Sequence, residues 1–287
     1  MIVLGFMIVA ISLLTAICKL RSGPTAAPPK RRMSILFLAA NPGGTSKLAL
    51  DEECAAIQRE LRLTRYGDDF EFVSRWAVTV DDMARHLMEL QPTIIHFSGH
   101  ARGNEFLHPG AHGTIRDASS ATDPGTNGIL LQGEQGGSQL VCARALAMMI
   151  RSATTSARVL VLNACYSHAQ AEELRRSVDC VVGMGGAITD DAALSFAVSF
   201  YRALGNRRSV GAAVKHAIAT LAAKQVPDAC RPRLRARDGL DAHQVVLSAR
   251  RPVRHERLVR PATSIAGLSL AGNDAPADSQ PWFTPIP

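Results

Sequence analysis

Between Met33 and Ala223, short runs of apolar residues alternate with longer amphipathic stretches. A continuous apolar run is typical of a strand that is covered on both faces, as in a parallel sheet. The runs bounded by turn residues predict strands at Ser34–Ala40, Phe70–Trp76, Thr93–Phe97, Gly128–Leu131, Arg158–Leu162 and Val178–Val182.

The stretches between these runs have the apolar spacing of amphipathic helices. This spacing predicts helices at Glu53–Leu63, Thr79–Leu90, Leu140–Ile150, Ala169–Arg176, Asp191–Leu204 and Val210–Ala223. Strands that alternate with helices form a mostly parallel sheet with helices on both faces. The sequence therefore predicts an α/β domain over residues 33–227.

The N-terminal segment has a separate character. Ile2–Cys18 is uncharged and apolar, and as a helix it is about 25 Å long, at the short end for a membrane span. We predict a transmembrane helix over residues 1–20, followed by a basic, Pro-rich linker over residues 21–32. The positive linker places the main domain on the cytoplasmic side of the inner membrane. The alternatives are a cleaved signal peptide, and translation from Met33, which gives a soluble cytoplasmic protein.

The formal net charge of +7 lies in the flanks of the chain. Residues 19–32 and 228–287 are basic, whereas the domain between them is close to neutral, so nucleic-acid binding is not expected. The Arg- and Pro-rich segment 228–287 is predicted to be largely disordered, with one last strand at His243–Leu247. Its arginines either contact anionic lipid beside the anchor or form a solvated tail.

Two reactive residues follow the ends of predicted strands, His100 after Thr93–Phe97 and Cys165 after Arg158–Leu162. The carboxyl ends of parallel strands meet at one edge of a sheet, so we expect the imidazole and the thiol to lie together. His100 could then take the thiol proton and later protonate a leaving amine. The backbone N–H groups of Gly99 and Cys165 could form an oxyanion hole. The alternative is that Cys165 is an inert core thiol.

A helix is predicted to start directly after the cysteine. Ser167 and Gln170 fit the S-x-x-Q capping box. A helix N-terminus near the sulfur of Cys165 would favour its thiolate form.

Other site classes have little support in the sequence. Six cysteines without a CxxC pair argue against a disulfide scaffold and a zinc ribbon. His96 and His100 are four residues apart, but no third ligand recurs at metal spacing, and His96 is expected to pack in or under the sheet. The Gly-rich segments 41–47 and 183–186 match neither a phosphate-binding loop nor a dinucleotide fingerprint. The sequence therefore predicts no metal and no nucleotide.

The motifs HFSGH (His96–His100) and VLNACYS (Val161–Ser167) resemble those of CHAT-domain peptidases, a caspase-like family of clan CD cysteine peptidases. The similarity extends over about residues 33–223. The resemblance implies a caspase-like sheet, a catalytic dyad of His100 and Cys165, and no cofactor. It also implies protein substrates and a bacterial stress, defence or cell-death pathway. A sensor or a pore-forming protein is a further expected partner.

Two regions near the dyad have two interpretations each. Ala101–Asn127 is longer than the usual family connection, and forms either a flap or self-cleavage loop, or a tolerated surface insertion. Asp190 either pairs with a basic P1 side chain of the substrate or caps the helix Asp191–Leu204. Asp51 has the same two interpretations.

Two functions from different classes follow from these observations. The first is a membrane-tethered cysteine endopeptidase that faces the cytoplasm. The second is a catalytically silent interaction or signalling module on the same fold. The sequence lacks the GxSxG motif of an unrelated α/β hydrolase and the phosphate loop of a nucleotide-binding protein.

Overall fold

The computed structural model describes residues 32–102, 127–227 and 229–249. The predicted transmembrane helix, nearly all of the linker, most of the long loop after His100 and the end of the tail lie outside these residues. In the part of the chain that is described, no helix is long and apolar enough to span a bilayer.

The described strands form two sheets, and the larger one has the order β2-β1-β3-β7-β8-β9. The strands are β1 (Met33–Ala40), β2 (Phe70–Trp76), β3 (Ile94–Gly99), β4 (Ala101–Arg102), β5 (Gly128–Gln132), β6 (Ser138–Cys142), β7 (Val159–Asn163), β8 (Cys180–Met184) and β9 (Pro232–Ala236). Only β9 is antiparallel in the larger sheet. The smaller sheet, β4-β5-β6, is antiparallel. The larger sheet confirms the predicted mostly parallel α/β fold.

Six α-helices are described, three on each face of the larger sheet. They are α1 (Leu50–Leu63), α2 (Val80–Leu90), α3 (Ala143–Ala153), α4 (His168–Leu174), α5 (Asp190–Gly205) and α6 (Val210–Ala223). Alternate residues of β1 show the division: Ile35 and Phe37 pack with α1, α5 and α6, whereas Leu36 and Leu38 pack with α2, α3 and α4. Burial on both faces explains the continuous apolar runs in the strands.

The predicted helix at Leu140–Ile150 begins too early. Residues 138–142 form β6, which pairs with β5 across a turn at Gly136, and the helix starts only at Ala143. Leu140 and Val141 are apolar neighbours that suit either period, and the glycine turn decides in favour of a hairpin. The predicted strand Gly128–Leu131 therefore lies in the smaller sheet.

The larger sheet continues beyond residue 227, into the segment that the sequence assigns to the tail. In β9, arginines alternate with Pro232, Leu234 and Ala236, which is the period of a strand. The strand predicted at His243–Leu247 is absent. Instead, the carbonyl of Val245 accepts a hydrogen bond from the Val210 N–H at the start of α6.

Candidate active site

A cavity of about 260 Å³ lies at the carboxyl ends of β3 and β7, beside the first turns of α1 and α5. Both His100 and Cys165 line it, so the structure brings the two predicted reactive residues to one place. The other lining residues used below are Ser46, Glu52, Glu53, Ser98, Gly99, Asn163, Ile188, Asp190 and Asp191. This position follows from the rule that parallel strands present functional groups beyond their carboxyl ends.

The loop between β1 and α1 orients the imidazole of His100. Nε2 of His100 lies 2.7 Å from the carbonyl oxygen of Ser46. Because a carbonyl only accepts hydrogen bonds, Nε2 carries the proton in the neutral ring and Nδ1 is the free base. Asn41 holds this loop in shape, since its side chain bonds both the N–H and the carbonyl of Leu48.

The thiol of Cys165 is held by the loop that follows β8. Its sulfur lies 3.5 Å from the backbone nitrogen and 3.6 Å from the carbonyl oxygen of Ile188. An N–H directed at the sulfur stabilises a thiolate. The next residue, Tyr166, has a left-handed backbone (φ 57°), and its N–H bonds the carbonyl of Gly186. The chain therefore turns sharply directly after the cysteine.

The predicted capping box at Ser167 and Gln170 is wrong. The Ser167 hydroxyl donates to the carbonyl of Leu162 and accepts from the Met184 N–H, so it joins β7 to β8. Gln170 is buried, and its amide nitrogen is 3.5 Å from the carbonyl of Arg102. A hydroxyl that sits between two strands has stronger partners there than at the end of α4, a helix of only seven residues.

Gly99 lies on the cavity wall and cannot carry a side chain. A Cβ at this position would lie 2.6 Å from the carbonyl oxygen of Ala40 on the adjacent strand. The close contact between β1 and β3 explains why a glycine occupies position 99. An oxyanion hole made by the N–H groups of Gly99 and Cys165 stays a prediction.

Three exposed carboxylates lie on the rim of the cavity, on Glu52, Asp190 and Asp191. Thr189 caps α5, because its hydroxyl accepts a hydrogen bond from the Ala192 N–H. Asp190 therefore stands in the first turn of α5 without being its cap. Asp51 is exposed in the first turn of α1 and does not line the cavity, whereas the next two residues of the helix, Glu52 and Glu53, do.

A buried polar cluster that sequence reasoning did not predict lies beneath the cavity. Oε1 of Glu53 lies 3.0 Å from Nε2 of His96 and 2.6 Å from Nδ2 of Asn163. Oε2 lies 2.5 Å from the hydroxyl of Ser98, and Nδ1 of His96 lies 3.0 Å from the Tyr201 hydroxyl. All five residues are buried. The available signal was an acidic residue in the apolar stripe of α1, between Leu50 and Ile57.

The proton positions in this cluster follow from Tyr201. Burial, and then the nearby Glu53 carboxylate, raise the pKa of Tyr201 well above its ordinary value. The phenol therefore keeps its proton, and the arrangement that uses this proton has the hydroxyl donate to Nδ1 of His96. Nε2–H of His96 donates to the carboxylate of Glu53, which can only accept. Among the described residues, no group of three or more His, Cys, Asp or Glu side chains could hold a metal.

The sequence profile of the CHAT domain matches residues 6–243, most of the chain. The chain belongs to the CHAT domain family. This finding agrees with the resemblance seen in the two sequence motifs around His100 and Cys165. The family assignment covers the whole of the cavity and both of its reactive residues.

The known proteins that are similar to this CHAT protein include a curated relative and a solved structure. A Roc-COR-CHAT protease from an unknown prokaryotic organism is 23% identical over 200 residues, which cover 67% of this chain and 17% of the relative. The chain thus spans less than a fifth of that protein. A solved structure of a secreted C11 cysteine protease from Bacteroides thetaiotaomicron, bound to an irreversible peptide inhibitor, is 14% identical, with a TM-score of 0.47. The match covers 67% of this chain and 59% of that chain.

Proposed function

We propose that this CHAT protein is a cysteine endopeptidase that uses Cys165 as nucleophile and His100 as general base. The observation that carries the proposal is that both side chains line one cavity at the ends of β3 and β7. The Ser46 carbonyl supports it further, because it leaves Nδ1 of His100 free to accept a proton. The protease name of the curated relative is consistent with this activity.

The chemistry follows from these positions. Nδ1 of His100 takes the thiol proton, and the sulfur of Cys165 attacks the carbonyl carbon of the scissile peptide bond. The C–N bond breaks as the imidazolium gives its proton to the leaving amine, and a thioester remains on the sulfur. Water, deprotonated by the same imidazole, then hydrolyses the thioester. The N–H groups of Gly99 and Cys165 are proposed to stabilise the oxyanion in both steps.

A peptide-library digest tests this activity. We expect the wild-type protein to cleave peptides, and Cys165→Ala and His100→Ala to reduce cleavage by about 10³-fold or more. Covalent labelling by a thiol-reactive probe should decrease in both variants if the dyad is formed. A wild type that neither cleaves nor labels selectively at Cys165 would favour the catalytically silent interaction module instead.

The acidic rim supports a preference for a basic P1 side chain. Asp190 does not cap its helix, and Glu52 and Asp191 add negative charge beside it. A Lys or Arg side chain that enters the cavity would pair with Asp190. We expect Asp190→Asn to raise the KM for an Arg-P1 peptide about tenfold, measured against a neutral-P1 peptide in the same assay. If the ratio of the KM values for the two peptides is unchanged, Asp190 does not bind the P1 side chain.

The cellular setting is proposed from the sequence alone. Residues 1–20 would tether the enzyme to the inner membrane, with the domain in the cytoplasm and in a stress, defence or cell-death pathway. Fractionation of cells that express the full chain tests the tether. Recovery of the intact chain only in the soluble fraction would exclude it.

A further inference from the structure

The Glu53 carboxylate connects the two strands that lead to the dyad. It accepts hydrogen bonds from Ser98 at the end of β3 and from Asn163 at the end of β7. These two residues are register partners in adjacent parallel strands. Each lies two positions before a reactive residue, because Ser98 precedes His100 and Asn163 precedes Cys165. One carboxylate therefore holds both strand ends.

The Glu53 side chain is itself fixed from behind. His96 donates to the same oxygen as Asn163 and is held in turn by Tyr201, 3.0 Å away. The imidazole also stacks on Phe37, with ring centroids 5.1 Å apart. The exposed fraction of the Glu53 side chain is only 7%, so little water reaches the carboxylate to compete with these partners.

The side-chain amide of Asn163 is oriented towards Glu53 although this orientation leaves its oxygen without a hydrogen bond. Its Nδ2 group donates to Glu53 and to the carbonyl of Ala193, whereas its buried Oδ1 has no partner among the described residues. An unsatisfied buried acceptor is unfavourable by about 1–3 kcal/mol. The amide is thus held in the one orientation that meets the carboxylate.

We propose that Glu53 is a positioning residue that sets the separation and alignment of His100 and Cys165. This inference rests on the proposed peptidase function. Two residues span at most about 7 Å of chain, so a displacement of Ser98 or Asn163 is passed directly to the reactive side chains. Misplacement of reacting groups by about 1 Å lowers rates by about 10²-fold. Among the described residues, the hydrogen bonds of Glu53 go to His96, Ser98 and Asn163, and none goes to His100 or Cys165.

The test measures the reactivity of the Cys165 thiol, which does not require a known substrate. Full-length protein is alkylated with iodoacetamide at a series of pH values, and the Cys165 peptide is quantified by mass spectrometry. The variants are Glu53→Gln, Glu53→Ala and His100→Ala. Glu60→Gln is the matched control, because Glu60 lies two turns further along α1 and bonds Arg202, away from the cavity. Thermal unfolding of each variant reports whether it is folded.

We expect Glu53→Gln to lower the alkylation rate of Cys165 at pH 7 about tenfold. The pH at which this rate is half-maximal should shift in the same direction in Glu53→Gln as in His100→Ala. Glu60→Gln should stay within about twofold of wild type, although it loses part of its own ion pair. With a cleavable peptide, Glu53→Gln should lower kcat and leave KM nearly unchanged, whereas a purely structural defect would reduce only the folded fraction. Gln keeps the shape of Glu, so this variant is informative even if Glu53→Ala does not fold.

Two outcomes would overturn the proposal, and they are distinguishable. If His100→Ala changes the alkylation profile but folded Glu53→Gln does not, the dyad exists and Glu53 does not position it. If His100→Ala leaves the profile of Cys165 unchanged, the dyad itself is absent and the proposed function falls, together with the positioning role.

Discussion

The two faces of the larger sheet are built on different principles. Towards α2, α3 and α4, the buried side chains of β1, β3 and β7 are apolar, and they include Leu36, Leu38, Ile95, Phe97, Leu160 and Leu162. Towards α1, α5 and α6 it presents His96, Ser98 and Asn163 among the apolar ones, and these bond Glu53. The first face is stabilised mainly by apolar packing on these central strands, whereas the second combines packing with a polar cluster below the cavity. Substitutions on the two faces should therefore have separable effects on stability and activity.

The largest expected effect on stability comes from the apolar face. Leu146 on α3 is completely buried. Leu146→Ala should lower the free energy of unfolding by about 2–5 kcal/mol, because it removes buried methyl groups and leaves a cavity. Denaturant unfolding measures the loss, and peptide cleavage per folded molecule should be unchanged. A matching loss of activity in the folded fraction would mean that the faces are not independent.

A smaller effect is expected on the polar face. Tyr201→Phe removes the donor to Nδ1 of His96, which leaves a buried ring nitrogen unpaired. We expect the free energy of unfolding to fall by about 1–3 kcal/mol. In contrast to Leu146→Ala, cleavage per folded molecule should also decrease, because His96 supports Glu53. Full activity at reduced stability would separate Tyr201 from the site.

The smallest expected effect is on the pH dependence of the free energy of unfolding, and it involves His86 on α2. Burial, and then the charge of Arg75, lower the pKa of His86 on α2 below its ordinary value of about 6.5. The unfolded chain then binds a proton that the folded chain does not, so stability falls as the pH decreases below about 6.5. His86→Gln should flatten this decline between about pH 7 and pH 5, as followed by denaturant midpoints. The pKa of His168 is also lowered, so the stability of the variant should still decline somewhat as the pH decreases. Parallel curves for the two proteins would contradict the assignment.

The sequence was sufficient for the features that depend on period and on chain order. Apolar runs located β1, β3, β7 and β8, and the strand-like residues Phe70–Trp76 located β2, each to within two residues. The rule for parallel strands then placed His100 and Cys165 together without any knowledge of their surroundings. Both inferences rest on local patterns, which a single sequence contains.

Features that depend on the choice of a distant partner could not be predicted. The polar residue in the stripe of α1 was visible, but its partners lie 43 to 110 residues away along the chain. Ser167 has the sequence of a helix cap, yet two strands offer its hydroxyl better partners. Leu140 suits a helix or a hairpin, and only pairing with β5 decides between them. In each case a tertiary contact overrides a local preference.

The left-handed backbone of Tyr166 has a consequence for engineering this protein. A non-glycine residue in this conformation is strained by about 1 kcal/mol or more. Glycine would relieve that strain, so a search for thermostable variants would favour it at this position. The same replacement would give the turn directly after Cys165 more backbone freedom. A variant stabilised in this way should therefore lose part of the proposed cleavage activity, because its sulfur would be held less precisely.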